Sequence, residues 1–143
     1  MLNRITQCLI IILLPALLIF ALMAMVGTAQ AATLTVNTAT DETDGSCSDG
    51  DCSLRDAIAL AANGDTITFD GDFTIYLTST LTIDKHLTID GSGHTITVSG
   101  DSGGDGSPNT QVFSITHTSI ATLTHLSIVS GTTSSTGWTV PHV

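Results

Sequence analysis

The chain has 143 residues and 14.7 kDa, with 13 acidic and 3 basic side chains and a formal net charge of -10. That length sets a ceiling of one domain. The charge excludes nucleic acid and anionic membrane surfaces as partners, because almost nothing is present to neutralise phosphate. Few aromatics and a large share of Thr, Ser and Gly point to a β-rich, extracytoplasmic protein.

Met1 to Gln7 carries one positive charge, Arg4, and Cys8 to Val26 is an apolar run interrupted by Pro15. Gly27-Thr28-Ala29-Gln30-Ala31-Ala32 follows, with Ala29 and Ala31 at the -3 and -1 positions if a cut follows Ala31. This is the layout of a secretory signal peptide over residues 1–31. An uncleaved anchor is the rival, since 19 apolar residues can just span a bilayer. Cleavage is favoured because the Ala-Gln-Ala site closes the apolar run and Pro15 weakens a continuous helix. Contact with a membrane is therefore expected only through an uncleaved leader. After removal, Arg55 and Lys85 are the only basic residues, and Cys47 and Cys52 the only cysteines.

An even pair of cysteines in an exported chain reads as a disulfide, and Ser48-Asp49-Gly50-Asp51 is a turn short enough to close it. A metal site is the weaker reading, because no second Cys pair and no nearby His completes a tetrahedral shell. Thr33 to Thr38 alternates polar and apolar residues and predicts a short strand. An acidic loop runs from Asp41 to Asp51.

The spacing then predicts a helix over 54–62. Ser53 is its N-cap, Asp56 its first-turn acid, and Leu54, Ala57, Ile58 and Ala61 form one apolar stripe. Gly64 is placed to close it in a left-handed conformation. From Asp65 the period changes to two. The pairs Ile67/Phe69, Ile75/Leu77, Leu81/Ile83, Leu87/Ile89, Ile96/Val98, Phe113/Ile115 and Leu126/Ile128 each mark a short strand. Asp-Gly or Ser-Gly breaks many of the joints.

Phe69-Asp70-Gly71 recurs as Ile89-Asp90-Gly91 after 20 residues, and Leu87-Thr88-Ile89 as Leu126-Ser127-Ile128 after 39. Short strands at such a spacing suit a solenoid. An antiparallel sandwich is disfavoured because the one Asn-Gly, Asn63-Gly64, lies at the predicted helix end rather than between strands.

The run Cys52-Ser53-Leu54-Arg55-Asp56-Ala57-Ile58, followed by Ala61-Ala62-Asn63 and Asp65-Thr66-Ile67-Thr68-Phe69, resembles the CSLREA domain of exported bacterial proteins. Asp56 stands where the family's motif has Glu, which keeps the charge. Downstream, Leu81-Thr82-Ile83, Leu87-Thr88-Ile89 and Val112-Phe113-Ser114-Ile115 look like the first coils of the right-handed parallel β-helix, of pectin-lyase-like fold, that such proteins carry. The resemblance implies a secreted or cell-surface protein, usually much longer.

The expected architecture is all-β, a right-handed parallel β-helix of about three coils behind an N-terminal cap with one short helix. The cap takes 32–64, the coils 65–131, and 132–143 is an irregular tail. No C-terminal cap is legible in the sequence. A truncated member of a longer protein, or one whose open last coil self-associates, is expected.

The pectin-lyase-like fold that the resemblance implies also includes polysaccharide lyases and glycoside hydrolases. Hydrolysis needs two converging carboxylates, one with a raised pKa, but the acids here fall mostly in turns and loops. A lyase needs a cationic base, and the net charge repels an acidic polymer. His86, His94, His117, His125 and His142 show no metal-ligand spacing. Calcium is the most plausible ion, with Asp41, Glu42, Asp44, Asp49 and Asp51 as its candidate ligands, but a solvated acidic loop is favoured and no cofactor is expected. The expected role is structural or adhesive, toward glycan or a surface protein. A polysaccharide-active enzyme remnant is the alternative.

Overall fold

The structure is a computed structural model that describes residues 30–133; Ala29, most of the expected leader and the tail from 134 onward, with His142, lie outside the described residues. The elements run β1 (Thr33–Val36), α1 (Leu54–Leu60), β2 (Asp65–Phe69), β3 (Phe73–Tyr76), β4 (Leu81–Ile83), β5 (Leu87–Asp90), β6 (Ile96–Ser99), β7 (Phe113–Ile115), β8 (Ala121–Thr124) and β9 (Leu126–Val129). Among the described residues the fold is mostly strand with one short helix.

Every strand pairing is parallel. The strands form three separate sheets, ordered β1-β2-β5-β8, β3-β6-β9 and β4-β7, and from β2 onward the chain visits them in rotation. Alternation of Thr with Ile, Leu or Val puts one residue class on each face of a strand. Leu34, Ile67, Ile89 and Leu123 lie side by side across the first sheet, and Phe73, Ile96 and Leu126 across the second. Ile67, Ile75, Ile83, Ile89 and Val98 are fully buried, and each such side chain contributes about 1.5–3 kcal/mol. Burial fades toward the last strands: Ile115 and Ile128 are about half exposed, and among the described residues no strand stacks beyond β7, β8 and β9.

Two glycines sit at corners where successive passes of the chain touch. A Cβ on Gly91 would collide with the His125 carbonyl oxygen, and one on Gly100 with the Thr110 and Ser130 carbonyl oxygens. Stacked above them, His125 and Ser130 take left-handed backbone, at φ 55° and 50°.

Three expectations need correction. The helix ends at Leu60, with Ala61 already extended at ψ 143°, so it does not run to 62 and Gly64 does not close it. The Lys85 ammonium takes the Ala59 and Ala61 carbonyls, and a basic group there satisfies the helix end in place of glycine. Gly64 instead has φ 92° in the turn that launches β2.

The repeat reading also fails in register. Ile67, not Phe69, lies beside Ile89, and Leu87 and Leu126 belong to different sheets. The step from one pass to the next varies, from Ile67 to Ile89 but from Ile89 to Leu123. The longer pass contains a loop whose base is pinched shut, where the Gly100 carbonyl accepts from both Asn109 and Thr110 N–H. The Asp101 carboxylate accepts from the N–H groups of Gly103, Asp105 and Gly106 inside that loop.

A strand was missed as well: β8, Ala-Thr-Leu-Thr, has only Leu123 as a strong apolar marker. Within the expected 32–64 segment, β1 pairs with β2 and so contributes a strand to the first sheet.

Candidate functional site

Two regions gather polar groups, the segment around α1 and the outer face of the first sheet. Around α1 the sequence accounts for the helix cap and the buried stripe. Ser53 is the N-cap, its hydroxyl accepting the Asp56 N–H at 3.0 Å and lying 2.7 Å from Asp56 Oδ2. Asp56 Oδ1 accepts the Gly45 N–H, so the shorter acid links the helix start to the preceding loop. Leu54, Ala57 and Ile58 are buried in the core. Cys47 and Cys52 are bonded, their Cα atoms 4.3 Å apart.

Arg55 does more than the sequence revealed. Its Nε and one terminal nitrogen donate to the two Asp41 oxygens at 2.7 and 2.8 Å. It also donates to the carbonyls of Ser79 and Thr80. Asp41 further accepts from the N–H and hydroxyl of Thr78, each at 2.7 Å. The Asp41 side chain is 2% exposed. Burial alone would raise its pKa, but the Arg55 and Thr78 hydrogen bonds outweigh burial and hold it below the ordinary value. No spacing rule links Asp41 with Thr78, 37 positions on, so only the fold could reveal this junction.

Asp41 is set apart from the other candidate calcium ligands, because both of its oxygens already accept hydrogen bonds inside the protein. Asp44, Asp49 and Asp51 do converge, with one carboxylate oxygen of each within 4.8 Å of the others, all exposed. Glu42 lies at the edge of this group. Burial, the Asp51 charge and a hydrogen bond to Asp51 push its carboxyl up, with smaller contributions from Asp44 and Asp56. Among the described residues, those three aspartates are the group that could hold a hard cation, and they supply only carboxylates.

A shallow cleft of about 350 Å³ between α1 and β4 is lined by both Arg55 and Lys85. The two basic residues of the mature chain thus border one cleft. Both cations are already engaged by protein oxygens, so the cleft offers an anionic substrate little unused positive charge.

On the first sheet, Thr33, Thr66, Thr88 and Thr122 stand in register, one per strand, with Thr35 beside Thr68 in a second row. The Thr35 and Thr68 hydroxyls are 3.3 Å apart. Adjacent strands lie about 4.8 Å apart, so this face is a row of hydroxyls at one repeat. Asp90 pairs with Thr124 in the same sheet. It accepts from the Ser92 N–H, the Ser92 hydroxyl and the Thr124 hydroxyl, with His125 Nδ1 at 3.1 Å. Those contacts, the Ser92 backbone first, hold its pKa down to about 2. A general acid requires the opposite displacement.

Two other histidines serve locally. His86 Nδ1 accepts the Ile120 N–H at 3.0 Å, and His94 Nδ1 lies 3.5 Å from Asp72. Compared with protein-family models, curated proteins and solved structures, the chain matches none.

Proposed function

We propose that this chain is an exported, surface-directed β-helix protein with a structural or adhesive role, which presents the hydroxyl rows of its first sheet to glycan. In this reading the three parallel sheets are the faces of one right-handed solenoid. The rotation of the chain through them supports the winding, and the strong preference of parallel crossovers supports the hand. The segment around α1 is then the CSLREA-type cap, tied down by Cys47–Cys52 and Arg55. The disulfide supports an oxidising compartment, and the signal-like leader supports export.

The observation that carries the functional reading is the Thr33–Thr66–Thr88–Thr122 row. Regularly spaced hydroxyls donate and accept hydrogen bonds without charge, as a polyhydroxylated polymer requires. The half-exposed Ile115 and Ile128 support a second contact, self-association through the last strands.

The test is retention of the exported chain on insoluble bacterial and plant polysaccharides, compared with Thr66→Val/Thr88→Val. Retention on at least one polymer that the double variant loses is expected. Binding to none, or release of soluble oligosaccharide product, overturns the reading.

A further inference from the structure

We propose that Asp65 is a built receptor for the amino terminus of the processed chain: cleavage of the Ala31–Ala32 bond leaves an Ala32 α-ammonium group that docks on the Asp65 carboxylate. The inference rests on the reading of this chain as exported.

Asp65 opens β2 and is only 5% exposed. A buried carboxylate normally has a cationic partner, yet its two hydrogen bonds come from backbone amides. Ala62 N–H donates to Oδ2 at 2.7 Å and Ala32 N–H to Oδ1 at 2.8 Å. Arg55 is engaged with Asp41, and Lys85 with the end of α1. The two amides, Ala62 first, hold the Asp65 pKa below its ordinary value against the effect of burial, so the carboxylate is ionised at neutral pH.

Ala32 is also where the sheet begins. Its carbonyl accepts the Thr66 N–H at 2.9 Å, and Thr33 pairs with Thr66 next. Gln30 and Ala31 are exposed. A cut after Ala31 therefore leaves every rung of the β1–β2 ladder intact.

The chemistry is hydrolysis by an export peptidase that selects small residues at -3 and -1, here Ala29 and Ala31. The Ala31 C–N bond breaks, the hydroxyl of water joins the Ala31 carbonyl carbon, and its proton goes to the Ala32 nitrogen. The new acid loses a proton as carboxylate, and the new amine gains one as ammonium. A neutral N–H donor facing Asp65 becomes a charged one, and such bonds are roughly twice as strong.

The titratable groups on the neighbouring elements are Arg55 and Asp56 at the far end of α1, Asp90 at the far end of β5, and Lys85 and His86 in the turn before β5. A raised amine pKa in the folded state gives stability that is complete below the unfolded amine value. It is lost as pH rises through the folded value.

The full chain, expressed with its leader in a secreting bacterium, supplies the test. The recovered protein is sequenced from its N-terminus, and its α-amine is titrated by competitive acetylation. The expected result is a chain beginning at Ala32 whose amine titrates above the ordinary range of about 7.7–8.0. Asp65→Asn is expected to return it to that range and lower the melting temperature, while Asp105→Asn changes neither. The titration of the unsubstituted protein needs no variant to fold. A chain beginning at Ala32 with an amine in the ordinary range overturns the pairing and leaves export standing, as does a terminus at another residue. Retention of residues 1–31 overturns the cleaved-leader reading and the pairing with it.

Discussion

Replacing Asp41 by Ala tests whether the junction between α1 and the strands holds the fold together. The substitution removes four hydrogen bonds at once, two from Arg55 and two from Thr78. It leaves a guanidinium that is 16% exposed facing only the Ser79 and Thr80 carbonyls. Breaking a buried pair by deleting one partner costs about 3–5 kcal/mol, because the remaining charge stays desolvated. A small domain has only about 5–15 kcal/mol in total. At roughly 4 °C per kcal/mol for a chain of this size, the melting temperature should fall by about 12–20 °C.

Urea unfolding of the wild type and Asp41→Ala, followed by circular dichroism at pH 7, measures the loss directly. Arg55→Met/Asp41→Ala should recover part of it, since the orphaned charge is gone. A loss below about 1 kcal/mol, the value of an exposed ion pair, would refute the reasoning. Because the Asp41 pKa is held down, this contribution is present above its ordinary value of 3.8 and disappears as pH falls.

Gly100→Ala should cost about 1–3 kcal/mol, since its Cβ meets two backbone carbonyl oxygens that cannot swing aside as a side chain can; an unchanged melting temperature would show that the corner is looser than described. Opening the Cys47–Cys52 bond with dithiothreitol should cost about 2 kcal/mol, the chain-entropy value for so short a loop, read as a shift in the urea midpoint. The stability contributed by Asp90 should be present above 3.8 and fall away as pH drops toward about 2. Asp90→Asn should flatten that part of the pH–stability curve, and an unaltered curve would mean that its contacts persist in the unfolded chain.

Strand positions were legible because apolar residues alternate with Thr, Ser or Tyr, and that pattern survives without knowledge of partners. Ile67 and Ile89, Ile75 and Val98, Leu81 and Phe113 were all marked by it. Register was not legible, because a parallel pass fixes which residues stack but not how many lie between them. The Asp101–Asn109 loop lengthens one pass and leaves the rungs unchanged, so Leu87-Thr88-Ile89 and Leu126-Ser127-Ile128 are alike in sequence yet lie in different sheets. The helix end was misplaced for a related reason: Lys85 satisfies carbonyls that local rules assign to a glycine, and it comes from 24 residues beyond Ala61. The disulfide was legible because its loop is local.

The most specific run in the sequence, Cys52 to Ile58, carries no free chemistry. Cys52 closes the disulfide, Ser53 and Asp56 cap the helix, and Leu54, Ala57 and Ile58 fill the core. Arg55 fixes the whole to Asp41 and the Ser79–Thr80 backbone. A segment whose every side chain is used in folding has none left to select a ligand. Such a motif can be shared by proteins that bind quite different things. The selecting groups must then lie where side chains face water without an internal task, and on this chain the outer hydroxyl rows of the first sheet answer that description best. Substitutions along Thr33, Thr66, Thr88 and Thr122 should therefore alter binding with little effect on stability, while substitutions from Cys52 to Ile58 should do the reverse.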